Sequence, residues 1–298
     1  MTRPTVSDPF DTLPRSHPEW AIWLSLLRKA HGAAQDPGWT SALTATERRE
    51  DTDDRPLLAG VTLAVHEATI ARWTRELFEA AATGAAAAAE LARAAQSGDV
   101  DPLALLEASV NEDDAIIGAL AREAGVDATP LRALTPLLAL PLLSACARSL
   151  AGRATADWRH GYCPTCGAWP ALAEARGLER SRHLRCGRCG GDWPTEWMRC
   201  PYCGTGEHTR LGALVSEVTG ETRKIDTCEA CRGYLKTLMT LTVRSPIEVA
   251  LDDLTTVALD IAALEHGYRR PQGPGYPLAV TLVAAASRPD RSLRRWLR

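Results

Sequence analysis

Apolar residues recur at helical spacing through the first half of this chain. Between Ser16 and Gly32, the residues Trp20, Trp23, Leu24 and Leu27 fall at i, i+3, i+4 and i+7, one face of a helix. Ser16 and Glu19 have the spacing of a capping box ahead of it, and Pro18 suits a first turn. Residues 55–97 are rich in Ala and Leu, with Gly84 a break or a point of close packing. Asp101-Pro102 opens a further helix, which runs to about Arg122 and ends at Gly125. Thr129-Pro130 starts the last, through Ser149. The pattern predicts a bundle of roughly five helices whose Trp and Leu stripes are core. Far along the chain, Pro246 opens and Gly267 closes one more amphipathic helix. Its Ile247, Leu251, Leu254, Ile261 and Leu264 share a face that must dock on the bundle or on the segment before it. The chain then turns Pro- and Gly-rich and ends in a basic stretch, Arg288–Arg298, which reads as a solvated end.

Between residues 161 and 235 the helical period gives way to short strand-like runs and turns, and the cysteines change the picture. Of nine cysteines, eight stand here as four C-x-x-C pairs: Cys163/Cys166, Cys186/Cys189, Cys200/Cys203 and Cys228/Cys231. Two intervening residues let a tight turn present both sulfurs to one metal. A following Gly (Gly167, Gly190, Gly204) permits the positive φ that such a turn needs. Arg232 stands where the fourth Gly would be, which predicts a differently shaped last turn. The plan is written twice: a cysteine turn, a strand, a turn at Gly177 or Gly220, a second strand, another cysteine turn, then Trp193 or Tyr234. That is the layout of tandem rubredoxin-like or zinc-ribbon modules. The repeat favours Cys163, Cys166, Cys186 and Cys189 on one metal and Cys200, Cys203, Cys228 and Cys231 on another, with a cross-braced pairing as the alternative. A redox dithiol belongs at a helix start beside a resolving partner, and four spaced copies do not read that way. Cys146, alone on an apolar helix, reads as a small core residue, and His183 and His208 as surface residues. Tetrahedral four-thiolate sites suit zinc or iron and leave no open position for a substrate.

Composition narrows the rest. The 298 residues are 45% apolar and 24% charged, enough for a sizeable core, and the net charge of −3 does not describe a general polyanion binder. The first residues show no secretory pattern. The most apolar run, 131–150, carries Arg132, Pro136, Pro141 and Arg148 and reads as a buried helix rather than a membrane span. The expectation is a soluble, cytoplasmic protein, a compartment in which structural disulfides are disfavoured. A small local excess of Lys and Arg around the cysteines keeps a nucleic-acid-binding ribbon as the alternative function, and a thiol enzyme as a third.

At "YCPTCGAWP", "LRCGRCGGDWPTEWMRCPYC", "CEACRGYLKTL" and "DDLTTVALDIAALEHGY" the chain resembles the formate dehydrogenase accessory protein family, FdhE. The likeness covers about residues 161–268 and is specific in the Y-L-K after the last cysteine turn and the D-D-L helix behind it. The resemblance implies a cytoplasmic, non-catalytic assembly factor. Its partner would be the formate dehydrogenase catalytic subunit rather than nucleic acid or a membrane. It also implies two iron sites on the eight cysteines, zinc being the alternative. It carries over no catalytic residue and no client-binding surface.

The fold class expected is α with a small β part: a helical domain over 1–160, two cysteine modules over 161–198 and 199–245, and a carboxy-terminal helix and tail over 246–298. On this division Cys163→Ser or Cys228→Ser unfolds its own module and spares the bundle.

Overall fold

The computed structural model describes residues 8–40, 54–153, 158–216 and 220–285. The basic stretch Arg288–Arg298 lies outside them. Among the described residues seven α-helices precede the cysteines: α1 (Pro9–Ser16), α2 (Ala21–Ala33), α3 (Glu67–Ala82), α4 (Ala89–Ser97), α5 (Pro102–Asn111), α6 (Asp114–Glu123) and α7 (Ala128–Ser149). The fold is α with a small β part, as the sequence implies.

Helix α7 is the centre. It is apolar on all sides, and α2, α3, α5 and α6 pack around it. Among the described residues it is the one helix long and apolar enough to cross a membrane, yet 72% of its apolar window is buried inside the protein. Pro136 cannot donate to the Arg132 carbonyl, which accepts the Thr135 hydroxyl at 2.9 Å instead.

Several helix boundaries differ from the sequence pattern, each for a local reason. The Ser16/Glu19 capping box does not form. Asp8 caps a helix upstream, Ser16 is the last residue of that helix, and its hydroxyl donates back to the Leu13 carbonyl at 3.2 Å. Pro18 bars His17 from the helical region, and Glu19 pairs with the His17 ring at 3.2 Å. Within the stripe on α2, Leu24 and Leu27 are buried but Trp23 is 37% exposed. The helix expected over 102–122 is two helices. Glu112 takes a left-handed φ of 54° and Asp113 caps α6. Gly84 is the close contact anticipated, since a Cβ there would lie 2.7 Å from Ile22.

The Ala- and Leu-rich stretch also holds a strand, β1 (Thr62–Val65), which pairs in parallel with β8 (Thr281–Ala284) near the end of the described chain. The free edge of the β8 segment is met by side chains of α5. Asn111 exchanges two 2.8 Å bonds with Val280, and Glu107 accepts from the Leu282 amide at 2.6 Å.

The six remaining strands are β2 (Leu172–Arg176), β3 (Ser181–Arg185), β4 (Asp192–Pro194), β5 (Leu211–Ser216), β6 (Gly220–Cys228) and β7 (Tyr234–Thr240). They form one sheet in the order β4-β3-β2-β7-β6-β5, with β2 and β7 parallel and the other pairs antiparallel. The two cysteine repeats are thus laid side by side in the same orientation, and their inner strands join them.

The helix expected over 246–266 is also two: α8 (Pro246–Thr255), opened by a complete Ser245/Glu248 capping box, and α9 (Val257–Glu265), broken from it at Thr256. Leu251 is buried, whereas Ile261 and Leu264 turn outward, because the break rotates the second half of the shared face away. α9 lies on β6 and β7, and α8 reaches α2.

Candidate metal centres

The eight cysteine sulfurs gather in two groups: Cys163, Cys166, Cys186 and Cys189, and Cys200, Cys203, Cys228 and Cys231. Within each the sulfurs all lie within 4.8 Å of one another. The grouping is sequential, not cross-braced. The β2–β3 and β5–β6 hairpins bring the leading and trailing turns of each repeat together, and local backbone shapes each turn. In each leading turn the first cysteine's amide bonds five residues ahead (Cys163 to Ala168 at 2.8 Å, Cys200 to Thr205 at 2.9 Å). The trailing turns repeat this, Cys186 to Gly191 and Cys228 to Gly233, both at 2.9 Å. The residue after the second cysteine is left-handed every time, with φ of 67°, 78° and 73° at Gly167, Gly190 and Gly204, and 56° at Arg232. The last turn therefore has the same shape as the others, contrary to what its missing Gly suggests. Arg232 is held there by its guanidinium, which donates to the His266 carbonyl at 2.8 Å, pairs with Glu229 and stacks 4.1 Å from the Tyr268 ring. Arg232→Gly is expected to leave stability within about 1 kcal/mol of the parent, losing these contacts but relieving the backbone. Arg232→Val should cost about 2 kcal/mol or more, because a β-branched residue tolerates that φ worst. Urea midpoints of the two variants test this.

The donor sets fit a tetrahedral cation. Four sulfurs at about 2.3 Å from a common centre stand about 3.8 Å apart. Sulfur contacts here include Cys163–Cys189 and Cys166–Cys186 at 3.5 Å, and Cys200–Cys231 and Cys203–Cys228 at 3.7 Å. Each group could hold a metal ion. Four thiols this close compete for one charge. Burial pushes Cys163 well above the ordinary thiol range, while S–H donation from Cys163, Cys166 and Cys189 holds Cys186 well below it. A cation between them removes the competition by letting all four ionise. Backbone amides add to this: those of Arg188 and Cys189 approach the Cys186 sulfur at 3.4 and 3.5 Å.

The two centres differ in setting. All four cysteines of the first are buried and belong to the same hydrophobic core as the helices. Arg188, between its trailing cysteines, donates to the Ser109 and Val110 carbonyls at 2.8 and 3.2 Å and so ties that turn to the end of α5. The Leu57 and Leu58 amides bond the Pro164 and Thr165 carbonyls. In the second centre Cys203 and Cys231 are exposed. The two touch through their leading turns, since a Cβ at Gly161 would fall 1.7 Å from the Pro201 carbonyl oxygen. Tyr162, Trp169 and Tyr202 line this contact, with ring centroids 6.1 and 5.3 Å apart.

Cys146 is not part of either group. It is buried on α7, and burial pushes its thiol up to about 12. His208 is exposed and His183 half-buried, bonded to Asp192 at 2.9 Å.

The Y-L-K stretch, so far a family signature without chemistry, meets the helices behind it. Lys236 is fully buried, with Nζ 2.6 Å from Asp253 and 2.7 Å from Asp260. The Tyr234 hydroxyl donates to Asp260 at 2.8 Å, and Arg270 pairs with both carboxylates at 3.0 and 2.9 Å. Sequence reasoning missed this network because the partners are 10 to 26 residues apart and belong to different kinds of element.

Residues 198–275 match the family described as FdhE, C-terminal domain. The FdhE homolog of Aquifex aeolicus is 32% identical over 114 residues, 37% of this chain and 40% of that protein. The FdhE homolog of Pseudomonas aeruginosa is 33% identical over 116 residues, 36% of this chain and 37% of its own. The chain thus spans about two fifths of the length of these relatives. The crystal structure of the FdhE protein from Pseudomonas aeruginosa aligns over 91% of this chain and 93% of that one, with a TM-score of 0.54 at 21% identity, a likeness of fold. The resemblance to FdhE read from the cysteine stretches is found again in each of these comparisons.

Proposed function

We propose that this chain is an accessory factor for formate dehydrogenase. It holds a metal ion in each cysteine group and binds the dehydrogenase catalytic subunit in the cytoplasm during assembly. The observation that carries the reading is the match of residues 198–275 to the FdhE C-terminal domain, together with two complete four-sulfur donor sets, one inside that stretch and one just before it. Iron is the metal that the resemblance implies, with zinc as the alternative. Each set already supplies four sulfurs, so a bound ion would keep no position for a substrate. That favours a binding role over a catalytic one. When bound, the ion supplies charge and cross-linking to the fold. The residues around the first site exclude water, and those around both position the two turns.

Nucleic-acid binding draws less support. Among the basic side chains of the cysteine segment, Arg182 and Arg185 are buried and paired within the sheet, and Lys236 is buried and paired with α8 and α9, rather than displayed. Co-purification of a tagged formate dehydrogenase catalytic subunit with the chain tests the reading. A folded protein that retains none of the subunit would overturn it, and metal analysis of the same sample distinguishes iron from zinc.

The settings of the two centres predict an order of metal loss. With excess chelator, the second centre, with two exposed ligands, is expected to empty at least about tenfold faster than the first. Time-resolved metal release would then show two phases of equal amplitude. A single phase that empties both would contradict the difference in burial.

A further inference from the structure

One side chain of the second centre is built into the surroundings of the first. Tyr202 stands between Cys200 and Cys203 in the leading turn, yet its ring meets Trp169 edge-on at 5.3 Å. Trp169 directly follows the first centre's leading turn, which the Cys163 amide closes on Ala168. The same Tyr202 ring lies against the second centre's trailing turn. A Cβ at Gly233 would fall 2.6 Å from that ring and 3.1 Å from the Cys231 sulfur. The Tyr202 hydroxyl donates to the Tyr234 carbonyl at 2.9 Å, and the side chain packs against the core that holds the first centre's cysteines.

The first centre's leading turn is fixed from a further direction. The Tyr276 amide bonds the Gly167 carbonyl at 2.9 Å, and a Cβ at Gly275 would fall 3.1 Å from the Trp169 ring. Trp169 therefore has little freedom once its own turn is closed, and Tyr202 is the part of the second centre that meets it.

We propose that Tyr202 is a wedge coupling the two centres, so that an ion held by one slows the loss of the ion held by the other. This rests on the reading that each cysteine group holds an ion. An ion at the second centre joins the Cys200–Cys203 turn to the Cys228–Cys231 turn and clamps Tyr202 in the angle between them. The clamped ring gives Trp169 a fixed neighbour and leaves the first centre's leading turn less room to open. Linkage makes the effect the same in the other direction. Its source is that the wedge is ordered once for two ions. The second centre has two exposed ligands and the first has none. The exposed centre is thus a latch on the buried one, and stripping its ion loosens the first.

The test uses the full chain loaded with zinc alone and an excess of isotopically enriched zinc, which keeps the second centre filled while ions exchange. Bound isotope should rise in two phases, the slow one belonging to the first centre. Cys228→Ser, which empties the second centre, should speed the slow phase at least about tenfold. Tyr202→Leu should speed it as much while the protein still binds two zinc ions, and Tyr202→Phe, which keeps the ring, should match the parent. Should Tyr202→Leu misfold or lose the second ion, Trp169→Leu probes the contact from the other side. It should speed the slow phase in the parent but add little to Cys228→Ser, where the path is already cut. A slow phase untouched by Cys228→Ser would overturn the coupling. A Tyr202→Leu protein with two ions and a parent-like slow phase, or a Trp169→Leu effect of equal size in both backgrounds, would remove the wedge. A parent that takes up no zinc would remove the metal reading along with it.

Discussion

Cys163→Ser is expected to collapse most of the protein, whereas Cys228→Ser should cost only its own neighbourhood. Both replace a thiolate ligand by a neutral hydroxyl and leave three sulfurs unable to hold an ion tightly. The sequence treats the two alike, as knots in separate modules. The packing does not. Cys163, Cys166, Cys186 and Cys189 share one continuous core with residues of α2, α3, α5 and α7, and Arg188 and residues 57–58 bond the first centre's turns to the helical part. A structural four-ligand site in a small peptide is worth about 10–16 kcal/mol, comparable to the whole net stability of a domain at about 5–15 kcal/mol. Losing even half of that would lower the melting temperature by more than about 10 °C. None of the second centre's cysteines is in that core, and its module packs partly in a small separate cluster of Ile225, Tyr234, Ala263 and Tyr268, with Leu235 and Tyr202 reaching the main core. Cys228→Ser should release one metal equivalent, loosen β5, β6 and α9, and keep most of the helical circular dichroism at 222 nm. Cys163→Ser should lose soluble yield, both metals and most of the helical signal. Equal effects of the two substitutions, or a Cys163→Ser protein that keeps its helices while losing one metal, would contradict the shared core.

What the sequence reveals and what it hides divide by range. A cysteine turn is a local object, made by two intervening residues and a left-handed successor, so all eight sulfurs could be read directly, while the repeat favours their sequential grouping and leaves a cross-braced pairing open. Arg232 escaped only because a non-Gly residue in that conformation is held by distant contacts, at His266 and Tyr268, that no local pattern records. The same applies to Glu112, whose left-handed turn splits α5 from α6. The union of the repeats in one sheet depends on β2 meeting β7, and the β1–β8 pair on residues more than two hundred positions apart. Periodicity cannot register either. The break at Thr256 hides within a run whose apolar spacing is helical on both sides, and only packing on β6 and β7 decides which apolar residues face inward.

Lys236→Met should be the most damaging change outside the cysteines, at about 3–5 kcal/mol, the range for removing one partner of a buried ion pair. The ammonium is fully buried and holds two carboxylates, Asp253 and Asp260, as well as the Asp253 carbonyl at 2.7 Å. Without it Arg270 alone faces both acids, and α8 and α9 lose their anchor on the sheet. The pH dependence follows from the same network. Burial alone would raise Asp260, but the Lys236 bond, the Arg270 charge and the Tyr234 hydroxyl together hold it below the ordinary carboxylate range. A carboxyl depressed in the folded state contributes stability that is present above its unfolded value and disappears only as pH falls through the folded one, below about pH 4. The parent should therefore show no change from this group between pH 7.5 and 6. In Lys236→Met the Arg270 charge and the Tyr234 hydroxyl still oppose burial, so Asp260 should be less depressed than in the parent, and the variant too should show no change from this group between pH 7.5 and 6. Lys236→Met combined with Asp260→Asn should recover a large share of the loss at pH 7.5. Urea midpoints at both pH values, with metal content measured alongside, decide it. A Lys236→Met protein as stable as the parent, or one whose deficit the second substitution deepens, would show that the network does not hold the helices to the sheet.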